Sequence, residues 1–134
     1  MIVNKAYRYR LYPTREQKIM FAKTFGCVRF IYNKMLSDRI DYYKETGQKL
    51  NNTPAQYKEE FPWLKEVDSL ALANAQLNLN KVYSHFWNDS QHFGKPRFKS
   101  KKNSRASYST NNQKGSVRIE GHKVKLPKVG WVKL

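Results

Sequence analysis

Cations interleaved with aromatic rings carry the clearest chemistry in this sequence. Between Phe93 and Arg105 six cations (Lys95, Arg97, Lys99, Lys101, Lys102 and Arg105) occupy thirteen residues with no acid among them. Phe93, Gly94, Pro96 and Phe98 stand between them. Fixed positive charge neutralises phosphates, and flat rings stack on exposed bases. Pro96 pushes Lys95 toward extended geometry, so the run suits a strap better than a helix. Taken alone, such a run is ordinarily a solvated linker. The rest of the charge decides against that. The net charge is +16; residues 1–13 contribute +3, residues 14–90 hold 11 cations against 9 acids, and residues 91–134 hold 12 against 1. A near-neutral middle followed by a strongly basic end selects a polyanionic partner.

Other chemistries find less support. Hydrolysis at a bound divalent metal needs gathered carboxylates. Asp38, Asp41 and Glu45 share a helical face with Arg39 and Lys44, which ordinary surface pairing explains. Cys27, His85, His92 and His122 match no common zinc spacing, and a lone cysteine at a helix start is usually a packing residue. No catalytic set and no metal or other cofactor is therefore expected. The single cysteine excludes an internal disulfide and fits a reducing cytoplasm. No apolar run approaches the length of a membrane span.

The elements that must position these residues follow from patterning. Alternation over residues 2–12 predicts a strand, with Val3, Lys5, Tyr7, Tyr9 and Leu11 on a buried face and Arg8 and Arg10 on the other. Thr14 and Gln17 form a capping box that starts a helix, and Gly26 is expected to end it. A second helix follows over about 27–46, with Val28, Ile31, Tyr32, Met35, Leu36, Ile40 and Tyr43 on its apolar side, and stops at Gly47. Two helices joined at a glycine read as a helix-turn-helix. Residues 48–68 form a polar connection with a short helical stretch near 55–60 and an apolar plug at 61–64. Asp68 or Ser69 caps a long helix to about residue 88, with a buried stripe of Leu72, Ala75, Leu79, Val82 and Phe86. Short strands are expected at 106–110, 115–120 and 122–126, with Glu120-Gly121-His122 as a hairpin turn, and another begins at Val129.

Five strings in this order resemble a known family. They are Lys5–Thr14, Gly26–Asn33, Trp63–Ser69, Pro96–Lys102 and Val124–Val132. Together they resemble the amino-terminal third of the transposon-encoded OrfB/TnpB proteins, compact relatives of type V CRISPR effectors. The resemblance implies an α+β fold: a small antiparallel wedge β-barrel, here incomplete, with an inserted helical recognition lobe containing the transposase helix-turn-helix. On this chain residues 1–13 and 94–134 would be the wedge and residues 14–93 the lobe. It further implies a part of an RNA-guided DNA endonuclease whose partners are guide RNA and DNA. The sequence stops where the family continues into a RuvC-like nuclease domain, so a fragment without cleavage activity is expected. The 48–61 connection also looks shorter than is usual in the family.

The family reads a short duplex motif with residues before the long helix, in its first turns, and in the late strands. Those regions hold Asn52, Ser69, Asn74, Thr110 and Asn111 here. An asparagine can bond adenine at N6 and N7 together, which suits Asn74 and Asn111. Tyr32 and Asn33 lie in a matched string. Arg8, Arg10, Lys95, Arg97, Lys99, Lys101, Lys102 and Arg105 suit phosphates. The same polar residues also serve as caps and turns, and a stand-alone helix-turn-helix accessory protein remains the alternative reading.

Overall fold

The computed structural model describes residues 2–102 and 106–134. The first helix starts as its sequence predicts. The Thr14 hydroxyl accepts from the Gln17 N–H at 3.2 Å, and Gln17 Oε1 accepts from the Thr14 N–H at 2.9 Å. This helix, α1 (Arg15–Thr46), then runs unbroken for 32 residues to Gly47, which takes φ 70° and donates to the Tyr43 carbonyl. The expected break at Gly26 is absent. A glycine in a helix costs roughly 0.5–1 kcal/mol relative to alanine. The buried stripe passes straight over it, through Thr24, Cys27, Ile31 and Met35. Burying one large apolar side chain contributes about 1.5–3 kcal/mol, so continuity wins.

The second helix, α2 (Ser69–Asn88), begins at Asp68, whose Oδ1 accepts from the Leu70 N–H at 3.0 Å. Ile31, Met35 and Leu36 of α1 and Leu72, Ala75 and Leu79 of α2 belong to one core, which Leu64 and Val67 help to fill. Two 3-10 turns, Pro54–Tyr57 and Pro62–Glu66, form the connection between the helices. Phe61 and Trp63 of this connection pack edge-on against Phe30, each with ring centroids 4.8 Å away.

The carboxy-terminal segment forms a three-stranded antiparallel sheet in the order β1 (Arg118–Glu120), β2 (Lys123–Leu126), β3 (Gly130–Lys133). Val124 pairs with Ile119 on one side and Val132 on the other. Gly121 turns the hairpin at φ 58°. The sheet is joined to α1 where Gln17 Nε2 donates to the Trp131 carbonyl at 2.6 Å. Among the described residues it does not close into a barrel.

Two expected strands do not form. Residues 2–11 and residues 106–110 carry no regular secondary structure and no ladder partners. Only Tyr12 joins the sheet, through one bridge in which its N–H donates to the Lys133 carbonyl at 2.7 Å. Tyr7 and Tyr9, expected in the core, are 72% and 53% exposed. Alternation shows which face of a strand would be buried, but a strand also needs a neighbouring backbone along its length.

Candidate nucleic-acid interface

The basic strap is positioned from α1 by one side chain. Asn33 Nδ2 donates to the Lys99 carbonyl and Lys99 N–H donates to Asn33 Oδ1, both at 2.7 Å. The carboxamide thus behaves like a short piece of a neighbouring strand. The Lys99 ammonium stands 4.3 Å from the centre of the Tyr32 ring, a cation–π contact. Tyr32 is otherwise buried, and that burial pushes its phenol pKa up. Phe98 points its ring into the open beside Arg29 and Lys34, and all three line a shallow dish on α1. Lys101 and Lys102 are exposed in the turn that follows.

A second cluster is built on the start of α2. The Thr110 hydroxyl donates to Asp68 Oδ2, the oxygen that the helix cap leaves over. Tyr108 packs against Phe25 and Phe21, with centroids 5.8 and 6.3 Å away, and burial followed by the charge of Asp68 raises its pKa. These two anchors hold the irregular 108–111 segment across the first turns of α2. Asn74 Nδ2 then reaches the Asn111 Oδ1 at 2.7 Å, the Ser109 carbonyl at 3.1 Å and the Leu70 carbonyl at 2.9 Å. Asn74, Asn78, Arg97, Lys99 and Ser107 line a cleft of about 390 Å³. Ser69 lies exposed at the first position of the helix.

Of the residues singled out by sequence, the fold therefore gathers Ser69, Asn74, Thr110 and Asn111 at one helix start, with Arg97 and Lys99 beside them. Asn52 stands apart. It is 2% exposed and accepts from Arg39 Nε at 2.7 Å, while its amide donates to the Tyr57 hydroxyl at 2.8 Å and the Met35 carbonyl at 3.3 Å. Its place is inside the helical pair. Arg8 and Arg10 are exposed on the amino-terminal segment, with Arg10 set 5.7 Å from the Tyr12 ring centre. Lys95 faces a different groove, between the far ends of the helices. Arg105 lies outside the described residues. Asn78 was missed by the sequence reading as a site residue, although its spacing from Asn74 puts both on one helix face.

Cys27 is buried, and burial, helped by Glu66 and opposed by Lys23, raises its thiol pKa. Among the described residues no group of three His, Cys, Asp or Glu side chains could hold a metal ion. Among them, too, no helix is long and apolar enough to cross a membrane.

The family model HTH_OrfB_IS605, a helix-turn-helix domain, matches residues 1–48. A Streptomyces pristinaespiralis protein named as an RNA-guided DNA endonuclease is 36% identical over 78% of this chain and 27% of its own length. The Escherichia coli K12 protein InsQ, named in the same way, is 24% identical over 96% of this chain and 33% of its own length. The Salmonella dublin virulence protein VsdF is 32% identical over 72% of this chain and 93% of its own length. The chain thus spans about a quarter to a third of the two endonuclease-named relatives and nearly all of the Salmonella one.

Proposed function

The chain belongs to the OrfB/TnpB family, and from that premise we propose that it is the nucleic-acid-binding amino-terminal module of a TnpB-like RNA-guided DNA endonuclease. In this reading residues 14–93 act as the recognition lobe, and residues 1–13 with 94–134 act as the wedge. The segment binds guide RNA and target DNA in the cytoplasm and supplies no hydrolytic step of its own.

One observation carries the reading. Ser69, Asn74, Thr110 and Asn111 converge on the first turns of α2, beside a strap of cations that Asn33 holds at Lys99. This combines the two parts that sequence-selective binding needs. Cations contact phosphates and set the register, while amides and hydroxyls meet base edges. The bond between Asn74 Nδ2 and Asn111 Oδ1 leaves the Asn74 carbonyl oxygen as an acceptor and the Asn111 amide as a donor. That pair matches the N6 donor and N7 acceptor of adenine.

A stand-alone DNA-binding accessory protein is the second reading. It draws on the match to nearly the full length of the Salmonella protein. Competition binding separates the two. The purified chain is offered transposon-end RNA and duplex DNA, and bound species are resolved by gel mobility and sequenced. Preference for structured RNA supports the endonuclease module. Tight duplex binding with no binding of the structured RNA would overturn it in favour of the accessory protein.

A further inference from the structure

A second groove lies away from the α2 start and is not used by the reading above. It encloses about 670 Å³ between the carboxy-terminal ends of α1 and α2, with Tyr43 and Trp87 among its walls. That size falls within the roughly 300–1,000 Å³ typical of small-molecule sites. Their ring centroids are 5.8 Å apart, and both residues remain more than 40% exposed. Neither belongs to the buried stripe of its helix, so core packing does not account for them. Lys44, Lys49 and Lys95 also line the groove, with Arg39 deeper in, and among the described residues no acid does. The Lys49 ammonium is already 4.8 Å from the Trp87 ring centre.

We propose that this groove holds an unpaired nucleotide, its base stacked on Trp87 and Tyr43 and its phosphate met by Lys44, Lys49 and Lys95. Charge complementarity selects an anion, and exposed rings select a flat aromatic group; a nucleotide is both. A base inside a duplex has its faces covered by its neighbours, so the occupant is single-stranded. The strap gives continuity. Lys95 and Pro96 line this groove, whereas Arg97, Phe98 and Lys99 line the cleft beside Asn74. One strand following the strap would run from the base-edge readers at the α2 start to the stacking site at its end. The proposal rests on the nucleic-acid-binding reading and adds to it where a displaced or unpaired strand is held.

The test uses the full chain carrying Trp63→Phe and Trp131→Phe, so that Trp87 is the sole tryptophan. It is titrated with a short oligothymidylate single strand, a duplex, and inorganic polyphosphate. The expected result is saturable quenching of Trp87 by the single strand and none by polyphosphate. Trp87→Leu in the natural background should weaken single-strand binding by about 5- to 150-fold, the loss of one base–aromatic stack. Trp87→Phe should keep most of the affinity, and duplex affinity should hold in both. Equal single-strand affinity for Trp87→Leu and the parent, or equal quenching by polyphosphate, would overturn the stacking site. If the duplex still binds here and transposon-end RNA still binds by gel mobility in that event, only this inference falls. If the parent chain binds none of the three, the proposed function falls with it.

Discussion

Replacing Asn33 by Ala tests whether one carboxamide holds the strap. Two hydrogen bonds to the Lys99 backbone would be lost, each 2.7 Å long in the parent. A neutral hydrogen bond contributes about 0.5–1.5 kcal/mol net, and water replaces part of that at an exposed site. The Lys99–Tyr32 contact adds about 0.5–1 kcal/mol and should weaken as the backbone loosens. The local docking energy is therefore about 2 kcal/mol, roughly a 30-fold change in the closed-to-open ratio of the strap. The helical core does not depend on it, so the urea midpoint should move little. Amide hydrogen exchange is the direct assay. The Lys99 amide should exchange about 30-fold faster in Asn33→Ala, while amides near Ile31 and Leu72 stay slow. Asn33→Asp should fall between, because it can accept from the Lys99 N–H but cannot donate to the carbonyl. Nucleic-acid affinity should drop, since the strap must then be ordered on binding, but the salt slope should not, since every cation is still present. A Lys99 amide that exchanges at the parent rate in Asn33→Ala would refute the reasoning. So would a salt slope that falls along with affinity.

Replacing Lys99, Lys101 and Lys102 together by Ala should flatten the plot of log affinity against log salt by about two to three units if all three meet phosphates; an unchanged slope would make the run a solvated linker. Asn52→Leu should cost about 2–4 kcal/mol in urea denaturation, because it leaves the buried Arg39 guanidinium and the Tyr57 hydroxyl without their shared partner. The Tyr57 phenol is pushed up to about 12 by burial and by the hydrogen bond it donates to Asp38, with Asn52 opposing. The folded state thus holds this proton more tightly than the unfolded chain does. Its contribution of up to about 3 kcal/mol is complete below pH 10 and is lost as pH rises toward 12, which stability curves of the parent and Tyr57→Phe will separate. Tyr32, Tyr83 and Tyr108 shift in the same direction, so Tyr57→Phe should reduce the alkaline loss without abolishing it.

The helical half was legible because its signals are local. The Thr14 capping box, the Asp68 cap, the Gly47 stop and the Leu72–Ala75–Leu79 stripe all rest on residues within one or two turns of each other. Gly26 misled because glycine reports only that a break is cheap. Whether one occurs depends on the buried surface on either side, which is set by α2 and the 3-10 turns far along the chain. Residues 2–11 misled for a related reason: their alternation is real, but a ladder needs a second backbone, and only Tyr12 meets one.

The asparagines show why the site was only half legible. A carboxamide carries a donor and an acceptor, so the same residue can copy a strand, close a core network or face a base. Asn33, Asn52 and Asn74 look alike in sequence and take these three forms in the fold: a ladder to Lys99, a buried hub under Arg39, and a pair with Asn111. Long-range partners decide among them, with separations of 66, 13 and 37 residues. Charge is different, because a run of cations with no acid among them keeps its electrostatic preference however the chain folds. The cationic strap could therefore be located from composition alone, whereas the amides beside it acquire a role only once Thr110 and Tyr108 have fastened the 108–111 segment to the start of α2.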